Sequence, residues 1–119
     1  MPFDWREYLA LAQFVQTQSN ANFGEEAARR CAVSRAYYAA FCFARNHAQI
    51  HSGFVLTGTA EDHGRLAEHL RQHGRAGEAR RLKRLRQWRN QCDYRDEIGD
   101  LTMMTASALQ QASDVISRL

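Results

Sequence analysis

The sequence predicts an all-α fold, an up-and-down bundle of four to five helices. Two observations carry that expectation. Apolar residues recur at three- and four-residue steps along most of the 119 residues. Strand signals are missing: Val, Ile and Thr are sparse, and no Asn-Gly or Asp-Gly turn stands between alternating apolar runs. Composition agrees, with 45% apolar and 24% charged residues, seven Gly and one Pro, the balance of one ordinary folded domain. A chain of this length buries roughly 65% of its unfolded surface, enough for a core without disulfide or metal staples. Residues 1–119 read as a single domain, without repeat, linker or low-complexity tract.

The first helix is expected from about Asp4, an N-cap candidate, to Ser19, with Trp5, Tyr8, Leu9, Ala12 and Val15 on its apolar side. Asn20-Ala-Asn22 interrupts the pattern. Asn22, with Glu25 three positions on, reads as a capping box opening a second helix that reaches Ile50. From Ala36 to Ala44 this helix is apolar all round, which predicts a central, buried element. Ser52-Gly53 ends it, and a loop continues through Gly58. Thr59 with Asp62 is a second capping signal, starting a third helix that runs to about Gln72 and closes at His73-Gly74. A fourth helix spans roughly Ala76 to Asp93. Tyr94 to Leu101 reads as an irregular turn, and a last helix from about Thr102 to Arg118 buries Ala108, Ala112, Val115 and Ile116.

Several function classes drop out. No uncharged apolar run approaches the roughly 18–20 residues of a bilayer span; the longest clear stretch, Ala36 to Ala44, has nine. Asp4 and Glu7 stand where a signal peptide carries its basic region and apolar block. A cytoplasmic protein is expected. Cys31, Cys42 and Cys92 make an odd count without a C-x-x-C pair, so they read as free thiols serving as small buried apolar residues. His47/His51 and His69/His73 are i,i+4 pairs and His63 opens the third helix, but H-L-R-Q-H lacks the Glu of a metalloprotease motif. Neither metal nor cofactor is expected, and there is no Gly-rich phosphate loop.

Charge is unevenly placed. The net charge is +3, yet Arg65 to Arg95 holds nine Arg and one Lys against Glu68, Glu78 and Asp93. One basic segment on a mildly acidic body points to a polyanion or an acidic partner. On a helical wheel, Leu82, Leu85 and Cys92 form the apolar stripe of the fourth helix, with Arg89 in its midst and Arg86 at its margin. A charge in that position needs a partner or a polar cleft. Asp93, one turn on, is the intrahelical partner; a phosphate bound bidentately at a cleft or dimer seam is the other. Trp88 lies off the stripe beside Arg84 and Arg89, while Tyr37, Tyr38, Phe41 and Phe43 are expected in the core.

Ser34-Arg-Ala-Tyr-Tyr-Ala-Ala-Phe41, followed by Leu85-Arg-Gln-Trp-Arg-Asn-Gln-Cys-Asp-Tyr94, resembles the HEPN family (higher eukaryote and prokaryote nucleotide-binding domains). The resemblance implies an all-α bundle that forms a symmetric homodimer. Its active members are metal-independent ribonucleases in which Arg, a polar residue and a His four to six residues beyond the Arg face their counterparts across the dimer cleft. Carried over, Arg89 is the phosphate-binding Arg and Asn90 the polar residue, while Tyr94 stands where the His belongs. The implied catalytic set is Arg89, Asn90 and Tyr94. The implied phosphate- or nucleic-acid-binding set is Arg86, Arg89 and Arg95, with Asp93 as structural partner. Tyrosine, with a pKa near 10, is a poor base at neutrality but can donate a hydrogen bond. The resemblance further implies binding of RNA or a nucleotide, and a minimal nucleotidyltransferase as partner in a toxin–antitoxin or other defence pair. The alternative is a non-catalytic interaction or dimerisation module in which Arg89 and Asp93 brace the helices.

Overall fold

The apolar middle of the second helix decides the architecture. In the computed structural model, which describes residues 2–119, the helices are α1 (Arg6–Val15), α2 (Glu25–His51), α3 (Asp62–Gln72), α4 (Ala76–Tyr94) and α5 (Leu101–Arg118), with no strand among the described residues. From Ala36 to Ala44 every α2 residue is buried except Tyr38 and Phe43, which are half-buried. Such a helix needs neighbours on all sides. α1, α4 and α5 pack along it, and α3 leans mainly on α4. The 27 residues of α2 span about 40 Å, and the molecule is correspondingly long in one direction, 46 × 30 × 25 Å. Buried residues of all five helices, joined by Phe54 from the α2–α3 loop, form one contiguous core. No helix among the described residues is long and apolar enough to cross a membrane.

Helix ends depart from expectation where polar side chains compete for the same backbone donors. The N-cap of α1 is Trp5 rather than Asp4 and has no side-chain cap, although the Asp4 carboxylate, one residue earlier, accepts the Arg6 N–H at 3.1 Å. The helix stops at Val15, a turn short of Ser19, because the Gln16 and Thr17 side chains bond back to the carbonyls of Gln13 and Phe14. The capping box on Asn22 does not form. Asn20 instead accepts the N–H groups of Asn22 and Phe23 at 2.7 and 3.1 Å, and α2 begins after Gly24 without a side-chain cap. Thr59 likewise does not cap α3, since its hydroxyl pairs with that of Thr57.

The fourth helix runs through Tyr94 rather than ending before it, and α5 starts at Leu101, where the Asp100 carboxylate accepts the Met103 N–H at 3.0 Å. Gly53 and Gly74, at φ of 72° and 79°, close α2 and α3 as the sequence indicates. Left-handed backbone there lets Phe54 and Arg75 donate to the carbonyls of Ala48 and Leu70. Cys42 and Cys92 are buried, but Cys31 is exposed: it lies on the outer side of α2, where no helix covers it.

Candidate functional site

α4 turns Leu82, Leu85, Arg89 and Cys92 toward the core, and Arg89 keeps only 8% of its surface exposed. Its guanidinium lies over two ring faces of α2, 5.5 Å from the Tyr37 centroid and 5.4 Å from that of Tyr38. Asp93 approaches at 3.7 Å, an ion pair too long to be a hydrogen bond. Ser34 donates to the same carboxylate oxygen at 3.4 Å. The two halves of the sequence pattern, distant along the chain, therefore meet in space at Ser34, Tyr37, Tyr38, Arg89 and Asp93.

Two further cations join them. Arg35 sits between the rings of Tyr8 and Tyr38, 5.5 and 5.6 Å from their centroids. Arg86 flanks Arg89 on α4. The Nε atoms of Arg35, Arg86 and Arg89 are all buried, and none has a hydrogen-bond partner among the described residues. Of the three cations only Arg89 is paired with a carboxylate, that of Asp93, while Arg35 donates to the Ser34 hydroxyl at 3.5 Å.

α3 contributes His63, and its placement is set by the residue before it. The buried Asp62 carboxylate accepts the N–H groups of Thr57 and Gly58 at 3.0 and 2.9 Å and the Thr57 hydroxyl at 2.7 Å, and it pairs with Arg65 at 2.7 Å. Those bonds, the Thr57 N–H foremost, hold the Asp62 carboxyl below the ordinary carboxylate range. They also fix the start of α3 so that the next side chain reaches α2. The His63 ring stacks on Phe41 at 4.4 Å, and its Nδ1 is hydrogen-bonded to the Tyr37 hydroxyl. Burial, then Arg86 and Arg89, push the His63 imidazole below its usual pKa, so it is neutral at neutral pH. Burial raises the Tyr37 hydroxyl above its own range, with Arg86 and Arg89 opposing.

Of the residues singled out in the sequence, Arg86, Arg89 and Asp93 come together here. Asn90, Tyr94 and Arg95 do not. They are exposed and line an open groove with Gln87 and Gln91. Helix geometry is the reason: five positions separate Arg89 from Tyr94, which turns the side chain by about 140°. Arg95 ends α4, and its backbone is held by Arg30 of α2, which donates to the carbonyls of Cys92, Arg95 and Asp96. Trp88 is half-buried and packs on the core.

Sequence reasoning did not assign His63, Arg35 or Arg30 to this region. Arg35 and Tyr37 carry a signal, since both fall within the Ser34–Phe41 run. His63 carries none, because its link to α4 exists only through tertiary packing. The His47/His51 and His69/His73 rings stand 4.4 and 4.0 Å apart, but no group of three His, Cys, Asp or Glu side chains among the described residues could hold a metal. A fixed cation cluster beside a neutral imidazole can bind an oxyanion and exchange a proton with its surroundings. Comparisons with protein-family models, with curated proteins and with solved structures give no significant match to this chain.

Proposed function

We propose that this protein is an RNA- or nucleotide-phosphate-binding domain of the HEPN type, acting as a symmetric homodimer in the cytoplasm. The observation that carries the reading is Arg89: almost fully buried, loosely paired with Asp93, its Nε without a partner. Leaving a buried charged donor unsatisfied costs upwards of about 1–3 kcal/mol. Arg35 and Arg86 repeat the deficit beside it. A phosphate, with several acceptor oxygens and a negative charge, offsets such a surplus of buried positive charge.

Further support comes from the basic segment Arg65–Arg95 and from the resemblance of the two sequence runs to the HEPN family. The exposed apolar side chains Leu11, Phe14, Phe23 and Ile50 support a second copy as partner. The free cysteines suit a reducing compartment. The reading extends to a weak, metal-independent ribonuclease of a toxin–antitoxin or defence pair, with a minimal nucleotidyltransferase as partner. Within it, Arg89 stabilises charge on the phosphate. The neutral His63 beside the arginines is better suited to take a proton than Tyr94, which faces the outer groove.

The test is fluorescence anisotropy of an end-labelled oligoribonucleotide titrated with the protein at rising salt. Saturable binding that weakens linearly on a log–log plot is expected, because phosphate contacts release counterions. Absence of saturable binding at low salt overturns the reading.

A further inference from the structure

Beside the arginine cluster lies a small depression lined by Trp5 and Tyr8 of the α1 end and by Arg35, Tyr38 and Cys42 of α2. We infer that this depression is a nucleobase subsite, holding the base of a nucleotide or RNA residue whose phosphate is bound by Arg35 and Arg89. The inference rests on the phosphate-binding reading above and adds the ligand's second half.

Its lining is built for a flat aromatic group. Trp5, Tyr8 and Tyr38 are half-buried. Guanidiniums already lie over them, Arg35 over both tyrosines and Arg45 over Trp5 at 5.7 Å from its centroid, so a base enters by displacing the Arg35 guanidinium from between the two tyrosine rings. Trp5 and Tyr8 are held edge to face at 5.0 Å, and Phe3 braces both at 4.9 and 5.5 Å. Burial keeps the Cys42 thiol above its ordinary pKa, so the Cys42 side of the depression is neutral. The volume, about 320 Å³, sits at the low end of ligand sites, which run from about 300 to 1,000 Å³. That admits a base.

Position relative to charge is the second argument. Tyr38 is shared: Arg35 and Arg89 each lie over its ring, at 5.6 and 5.4 Å. Arg35 itself lines the depression, and Arg89 is one ring away, over Tyr38 but outside the lining. The buried Nε of Arg35 has no partner among the described residues. Aromatic faces next to unsatisfied guanidinium donors match the two chemistries of a nucleotide, a π-face and a phosphate.

Trp5 provides the readout. Adenosine monophosphate, a short oligoadenylate and inorganic phosphate are titrated separately into the full-length protein, with binding followed by calorimetry and by tryptophan fluorescence. The inference predicts that the nucleotide binds about tenfold or more tightly than phosphate, the gain expected of one base–aromatic stack. It also predicts that only ligands carrying a base quench the fluorescence. Trp5→Phe keeps a stacking ring and should retain binding while abolishing the quench; Tyr8→Ala should cost about tenfold in nucleotide affinity and little for phosphate. Tighter binding of the oligoadenylate assigns the subsite to RNA, and equal binding to free nucleotides. Phosphate and nucleotide binding equally well, without quenching, overturns the base subsite and leaves the phosphate reading standing. Failure of all three ligands to bind overturns both.

Discussion

Arg89 rests its guanidinium on the face of Tyr37, 5.5 Å from the ring centroid, while the Tyr37 hydroxyl is engaged by His63. The arrangement holds a cation in place without using its N–H groups. A carboxylate in the position of the ring would neutralise the arginine and occupy its donors. A π-face attracts the charge and leaves the edge of the guanidinium available. Three elements meet at this one tyrosine, α2 by sequence, α4 through Arg89 and α3 through His63, so the arginine is positioned by the core.

Acid should weaken the fold through its histidines. The imidazoles of His47, His63 and His69 all sit below their ordinary pKa of 6.5, each chiefly because of burial. The unfolded chain therefore binds more protons than the folded one below pH 6.5. Their contribution is complete above that value and is lost as pH falls through the folded pKa values. Urea unfolding midpoints are expected to be level between pH 7 and 8 and to drop from pH 6.5 to 5. A midpoint that rises over that acid interval would contradict the burial of neutral imidazoles.

Cleavage of RNA should be slow, metal-independent and sensitive to His63 rather than to Tyr94. In the proposed reaction the ribose 2′-OH gives up its proton and attacks the phosphorus, and the bond to the 5′-oxygen of the next nucleotide breaks. Arg89 would stabilise the charge on the phosphate, and a positioned proton acceptor contributes roughly 10²–10⁴-fold. With labelled RNA in EDTA, wild type is expected to give slow cleavage, Tyr94→Phe to match it within about twofold, and His63→Ala to lose most of it. Activity abolished by EDTA, or by Tyr94→Phe alone, would place the chemistry elsewhere.

A second copy of the chain is expected in solution. Leu11 and Phe14, 48% and 64% exposed, lie three residues apart on α1, an apolar face that no other helix covers. Light scattering at micromolar concentration should give twice the mass of one 13.7 kDa chain, and charged substitutions at Leu11 and Phe14 should shift it toward the monomer. A monomeric wild type would rule the dimer out.

Much of this organisation is legible in the residues. Nine successive apolar positions fix α2 as the central helix, and the three- and four-residue spacing of Leu82, Leu85 and Cys92 puts Arg89 on the buried side of α4. Asp93 as its partner follows from the same spacing, and the glycine ends of α2 and α3 follow from residue type. Other features escape because local chemistry admits two answers. Asn20 and Asn22 are the same residue type two positions apart, and only the backbone path decides which one binds the N–H groups. Tyr94 could end a helix or begin a turn. That it continues α4 is what carries it away from Arg89. His63 is the clearest omission, since its position depends on Asp62 anchoring a loop and on α3 leaning across to α2.

The most direct test of the phosphate site compares Arg89→Ala with Leu85→Ala in paired thermal melts and RNA titrations. Leu85 is fully enclosed beside Arg89 on the same stripe. Its truncation should cost about 2–5 kcal/mol of stability, with little loss of affinity in the protein that remains folded. Arg89→Ala is expected to do the reverse. It gives up a long ion pair and two ring contacts, about 1–2 kcal/mol and a melting shift of a few degrees, while RNA affinity falls at least about tenfold. An Arg89→Ala protein that melts far lower yet binds RNA as tightly as wild type would make the arginine a brace of the bundle and contradict the phosphate site.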